Sequence, residues 1–249
     1  MNLFTPPTLG RVDRLVAFYT DGYAESERLA RDRLEFERTQ ELLRARLPLP
    51  PARVLDVGGG TGVHATWLAA DGYEVELVDL VPAHVARASA SGLCARVGDA
   101  RALDLADGAF DAVLLLGPLY HLPLAEDRAR ALTEAARVAS QLVVAAAISR
   151  YAWPLYALRG GVELDEERLA TTMRTGVGDP VGDLPDAYSH RPDELAAELR
   201  AAGLEIVEVV GIEGPAWFAH TDPRVARLYD AHPELSGASA HLLGFGHIM

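Results

Sequence analysis

Val54-Leu55-Asp56-Val57-Gly58-Gly59-Gly60-Thr61-Gly62-Val63-His64-Ala65-Thr66-Trp67-Leu68-Ala69-Ala70 is the stretch whose reading decides the fold. Val54 to Val57 has the composition of a buried strand, the glycines supply a turn, and Val63 to Ala70 has helical spacing. A strand that breaks on glycine and re-forms as a helix is the first βα unit of a nucleotide-binding sheet. Side chains in the turn would hold a ligand off the backbone, and the helix start offers free N–H groups with a partial positive charge. Three adjacent glycines cost more backbone entropy than a plain turn requires. Something small and polar is therefore expected on this loop.

The surrounding residues bear on which nucleotide it is. A dinucleotide fingerprint can be laid over Gly60, Gly62 and Ala65, which keeps an NAD(P)-dependent oxidoreductase as an alternative. Asp56, however, stands two residues before Gly58, and a carboxylate there repels a pyrophosphate while suiting a cation such as an ammonium or sulfonium. The pattern Asp56-x-Gly58-x-Gly60-x-Gly62 resembles motif I of the class I S-adenosylmethionine-dependent methyltransferases. The resemblance implies that Asp56, Gly58 and Gly60 cradle the methionine end of that cofactor. It also implies that Asp79, closing the strand Tyr73 to Leu80, grips the ribose hydroxyls with Leu80 beside it, and that Asp99, followed by Ala100, meets the adenine amine. The fourth strand, Phe110 to Leu116, then leads into Gly117-Pro118-Leu119-Tyr120-His121-Leu122, where such enzymes pass from cofactor to substrate, so Leu116 joins the cofactor set. The likeness runs from about Glu37 to Ile148. Without motif I, Asp79 would be a strand-end residue and Asp99 a turn former or helix N-cap.

The implied fold is α/β: a doubly wound, Rossmann-like, seven-stranded and mostly parallel sheet with helices on both faces and an antiparallel edge strand. A length of 249 residues, 49% hydrophobic, suits one such domain with additions. Residues 1–48 are expected to form a helical cap and 49–249 the core, with 149–190 expected as an inserted lid on the substrate side. Within the cap, helices are expected at Gly10 to Tyr19 and Glu25 to Leu47 after the Thr5-Pro6-Pro7 lead. Tyr19, Tyr23 and Arg38 are its candidate ligand contacts, since the resemblance implies tyrosines that close the pocket and an arginine for the methionine carboxylate. Further on, Glu126 to Ala139 reads as a helix, Gln141 to Ile148 as a strand, Pro192 to Ala202 as a helix and Leu204 to Ile212 as a strand. Leu242 to Ile248 is the last strand, which the resemblance places antiparallel at the sheet edge.

Composition excludes several classes. A net charge of -13 without a basic run is poorly suited to nucleic acid. The chain contains no lysine, which removes P-loop and Schiff-base chemistry. The single cysteine, Cys94, excludes an internal disulfide and a multi-cysteine metal site, and its apolar surroundings predict a buried thiol. No apolar run approaches a membrane span, and the start MNLFTPPTLG lacks a secretory pattern, so the expectation is a cytoplasmic monomer or homodimer with no membrane partner.

Methyl transfer from a sulfonium is direct displacement and asks the protein chiefly for alignment and exclusion of water. A hydroxyl or protonated amine acceptor additionally needs a base. His121 is the candidate, with Tyr120 shaping the pocket beside it; a loop-carbonyl partner is its plainer role. His190 is a weaker candidate, and His64 is read as structural. Tyr151, Trp153, His190 and Trp217 complete the expected substrate side and favour an aromatic or apolar small-molecule acceptor. No metal is expected: the loop after the fourth strand lacks carboxylates, and no His-x-x-x-His or Cys pair appears. A protein that binds the cofactor without transferring methyl is a third possibility.

Overall fold

Alternation along the central strands sets the layers. The structure, a computed structural model, describes residues 10–20, 33–158, 165–178, 187–219 and 222–249. Thr5-Pro6-Pro7, Tyr23, the first part of the expected second cap helix and portions of the expected lid lie outside them. In β1 (Arg53–Val57), Leu55 and Val57 face one apolar layer and Val54 the other. The same division recurs in β4 (Phe110–Leu115), where Val113 and Leu115 oppose Ala112 and Leu114, and in β5 (Ala139–Ser149), where Val143 and Ala145 oppose Leu142 and Val144. Burial on both faces explains why these strands read as nearly continuous apolar runs.

Helices cover both faces. α2 (Arg33–Arg44) and α3 (Val63–Ala70) place Leu42, Leu43, Trp67 and Leu68 on the Val54 side. α5 (Ala125–Val138) and α8 (Pro192–Ala201) place Leu132, Ala135, Val138, Leu195 and Leu199 on the other. The remaining helices are α1 (Arg11–Thr20), α4 (Pro82–Ala90), α6 (Ala152–Leu158), α7 (Glu166–Thr175) and α9 (Pro223–Arg227). α1 has no buried residue and lies at the cleft described below, whereas α2 is fixed to the sheet.

The sheet order is β3 (Cys94–Val97), β2 (Glu74–Asp79), β1, β4, β5, β8 (His241–His247), β7 (Glu205–Gly211). β1 to β5 pair in parallel, and β8 runs antiparallel to both β5 and β7. The expected seven-stranded doubly wound sheet is present. Its antiparallel strand lies one place in from the edge, between β5 and β7. A two-residue strand, β6 (Ser189–His190), adds an eighth by pairing with the end of β5. It is too short for any sequence period to announce. Cys94 corrects one expectation: at the start of edge strand β3 it is exposed rather than buried. No helix among the described residues is long and apolar enough to cross a membrane.

Candidate active site

The order of the sheet reverses between β1 and β4, and a crevice opens there beyond the C-terminal strand ends, where ligands of open α/β sheets bind. It is an open cleft of about 980 Å³, its solvent mouth included. Gly58, Gly60, Asp79, Leu80, Asp99 and Ala100 line it from below, His121 and Tyr120 from the side, and Arg11, Val12, Leu15 and Tyr19 of α1 from above.

The glycine loop is pinned to β2 at two points. Gly58 N–H donates to Val78 O at 2.6 Å, and Gly60 N–H donates to Asp79 Oδ2 at 2.9 Å. Gly58 and Gly60 adopt φ of 71° and 58°, a region costly for side-chain-bearing residues. A Cβ at Gly60 would meet only His84 Nδ1, 3.9 Å away, so glycine there keeps open space above the backbone.

Asp79 is buried, and its Oδ1 accepts from Val81 N–H at 2.8 Å and lies 3.2 Å from His84 Nδ1. Each carboxylate oxygen carries two lone pairs, which leaves capacity for a ligand hydroxyl. Asp99 behaves differently, because Arg101 donates to it from its backbone N–H at 2.9 Å and from its guanidinium at 2.6 to 3.2 Å. Burial alone would raise this carboxyl, but the Arg101 hydrogen bonds outweigh it and hold Asp99 below the ordinary carboxylate range. Arg101 also reaches Asp127 at 3.1 Å.

Above the cradle, the short 3-10 turn Pro118–His121 carries His121, which is 8% exposed. Its Nε2 lies 2.6 Å from the Tyr19 hydroxyl. The Tyr19 ring makes edge contacts with both His121 and His84, with ring centroids 5.4 Å apart in each case. Tyr19 and His121, singled out separately in the sequence, thus form a bonded pair at the cleft.

Other expected contacts lie elsewhere. Asp56 is 1% exposed and sits beneath the loop, where a Cβ on Gly59 would come within 2.5 Å of its Oδ2. Strand parity explains this, since Asp56 shares the Val54 side and faces α3 rather than the cleft. Neither carboxylate oxygen makes a well-formed hydrogen bond among the described residues, the Ala65 backbone N–H giving only weak support. Burial, reinforced by the charge of Asp79 and only partly offset by the Ala65 amide, pushes its pKa up to about 7.

Arg38 is correspondingly absent from the cleft. It is 1% exposed and donates to Ile212 O at 3.2 Å, Glu41 at 2.7 Å and Asp230 at 2.5 Å, fastening α2 to the segments flanking α9. Leu116 packs against the apolar layer under α2 and α3. Trp217 is buried with its indole N–H on Ala238 O at 2.8 Å. Tyr151 is exposed, and its ring lies where a Cβ on Gly237 would stand, 2.9 Å away. Trp153 is half-buried, its indole nitrogen shielded from solvent. His190 is fully buried against Glu198, and burial lowers its pKa. His64, expected to be structural, accepts from Trp67 Nε1 at 3.2 Å.

Residues distant in sequence also gather beyond the cleft. Glu35, Glu213 and His241 have potential metal-ligand atoms within 4.8 Å of one another. His241 Nδ1 lies 2.6 Å from Glu213 and 3.7 Å from Glu35, which links α2 to the β7–β8 end of the sheet. No spacing within the chain signals this trio.

A model described as a methyltransferase domain matches residues 55–142, which run from β1 to the start of β5 and contain the cradle. A demethylmenaquinone methyltransferase from Beutenbergia cavernae is 31% identical over 209 residues, covering 80% of this chain and 83% of its own. The chain belongs to the S-adenosylmethionine-dependent methyltransferases. A ubiquinone biosynthesis O-methyltransferase from Xylella fastidiosa is 30% identical over 179 residues, 69% of this chain and 68% of its own. Among solved structures, a SAM-dependent methyltransferase from Thermotoga maritima shares the fold with a TM-score of 0.62 at 19% identity, over 94% of this chain and 98% of its own.

S-adenosylmethionine is therefore the methyltransferase's cofactor, and the cleft fits it. The open space over Gly60 admits a ligand chain against the backbone, and Asp79 can accept from ribose hydroxyls while bracing the loop.

Proposed function

We propose that this methyltransferase acts on a small aromatic or apolar acceptor bearing a hydroxyl or protonated amine, with His121 as the final proton acceptor. The observation that carries this reading is the 2.6 Å contact between Tyr19 Oη and His121 Nε2 at the mouth of the cradle. The apolar lining from Val12, Leu15, Leu122 and the Tyr120 ring supports the acceptor class, as do the quinone-pathway names of the two relatives.

When bound, S-adenosylmethionine supplies an electrophilic methyl carbon on a sulfonium. The protein's tasks are to hold the adenosyl end through Asp79 and the loop, to cover the cleft with α1, and to take the acceptor's proton. A neutral His121 with its proton on Nδ1 accepts the Tyr19 hydroxyl hydrogen through Nε2. Tyr19 can pass its hydrogen to His121 while receiving that of the acceptor, so the proton ends on the imidazole and the acceptor oxygen or nitrogen keeps its electron pair for the methyl carbon. Residues 1–48 then serve as cap and 149–190 as lid.

The test is to incubate the protein with methyl-labelled S-adenosylmethionine and a panel of phenols, hydroquinones and amines, beside a His121→Gln variant. Transfer to a phenolic or amine acceptor that falls about 100-fold or more in the variant is expected. Label moving only to protein or nucleic acid, or a variant as active as the parent, refutes the reading.

A further inference from the structure

The core-facing stripe of α5 runs through Ala131, Leu132, Ala135 and Val138, and one turn before it stands Arg128, only 3% exposed. An arginine on an apolar stripe needs several partners to offset its desolvation. Arg128 has them on three sides. Nη1 donates to Leu122 O at 2.9 Å and Pro123 O at 3.1 Å, the two residues following His121. Nε and Nη2 donate to Glu198 on α8 at 2.7 to 3.1 Å. The guanidinium carbon also lies over the Tyr188 ring, 3.5 Å from its centroid.

Tyr188 closes the circuit from the lid side. Its backbone N–H donates to Tyr120 O at 2.8 Å, so the turn bearing His121 is gripped just before that residue by the lid and just after it by Arg128. Glu198 also meets His190 Nε2 at 3.2 Å. His190, expected at the substrate, instead anchors this assembly.

We infer that Arg128, oriented by Glu198 and Tyr188, is the positioning residue that holds the 120–123 turn so that His121 meets Tyr19, and that the lid's return strand acts on the base through it. This rests on His121 being the proton acceptor, but it concerns placement and can be read without knowing the acceptor. Lysine cannot replace Arg128, because a point-like ammonium cannot serve two carbonyls, a bidentate carboxylate and a ring face together.

The same helix supplies a matched control. Arg137 also binds two backbone carbonyls, of Leu103 and Leu105, and two carboxylates, Glu134 and Asp107, none of them in the 118–123 turn. The experiment is ¹³C-histidine NMR of the whole chain, with the His121 signal assigned from its loss in His121→Gln, applied to Arg128→Met, Arg128→Lys and Arg137→Met. Both Arg128 variants are expected to displace the His121 resonance and move its titration midpoint by about 0.5 pH unit or more, the scale of losing a short hydrogen bond. Arg137→Met is expected to lower the melting temperature without moving His121. Glu198→Gln, a milder change, gives the same readout if either Arg128 variant fails to fold. An unmoved His121 in a folded Arg128 or Glu198 variant, or an equal shift in Arg137→Met, overturns the inference. Calorimetry of the parent with S-adenosylhomocysteine separately tests cofactor binding, and acceptor turnover by His121→Gln tests the base assignment, so failure of either earlier reading is distinguished from failure of this one.

Discussion

Replacing Asp56 by asparagine is expected to change stability in a pH-dependent way that follows from its position under the loop. The aspartate is buried with only the Ala65 amide to support its charge, and its pKa rises from 3.8 to about 7. The folded protein therefore retains this proton over a range in which the unfolded chain has released it. Wild-type stability from this group is fully present below about pH 4, is lost as pH rises toward 7, and levels off above. A gap of about three pH units corresponds to roughly 4 kcal/mol, an upper bound because water entry and local relaxation soften the penalty. Asparagine stays neutral throughout. Measured by urea unfolding with and without the substitution, the variant should gain about 2 to 3 kcal/mol on the parent between pH 5 and pH 8. Titrations common to both proteins cancel in that difference. A difference that stays flat over the interval would refute the claim that a buried, unsolvated carboxyl lies beneath the cradle.

Other changes separate binding from chemistry. Asp79→Ala removes the acceptor for Gly60 N–H together with the carboxylate expected to meet the ribose, and should weaken S-adenosylhomocysteine binding about 100-fold or more by calorimetry, with the far-ultraviolet dichroism retained. Tyr19→Phe should leave that affinity within about threefold and lower turnover about tenfold, less than His121→Gln, because the imidazole remains while its partner is lost. Gly60→Ala places a methyl group in the cleft at a φ of 58°, and should weaken cofactor binding while costing about 1 to 2 kcal/mol in thermal unfolding. Stability should also decline as pH falls below about 4.5: although burial opposes it, hydrogen bonds from His190 and Arg128 hold Glu198 down at about 2, and Glu198→Gln should flatten that limb.

Much of the fold was legible because its signals are local. The β1 turn, the acidic end of β2 and the amphipathic stripe of α5 each lie within one window of the chain. Gly60 and Asp79 could each be assigned to the cofactor cradle from motif order, but their hydrogen bond to one another emerged only from the structure. Arg38 could not be located in this way: two of its partners, Ile212 and Asp230, stand 174 and 192 positions away. A buried arginine that ties segments together and one that meets a ligand look alike in sequence. Asp56 illustrates a different loss, since its residue type suggested a cation while strand parity, also present in the sequence, pointed it under the loop. Tyr19 and His121 were identifiable singly, but their contact spans 102 positions. Arg128 left a faint mark as the charged residue on an apolar stripe, and β6 left none.

The most direct measurement is a crystal structure with S-adenosylhomocysteine bound. Its ribose hydroxyls are expected on Asp79, its amino-acid end along Gly58 and Gly60, and its sulfur facing the Tyr19–His121 pair. A ligand seated away from Asp79, or a sulfur turned from that pair, would contradict this reading.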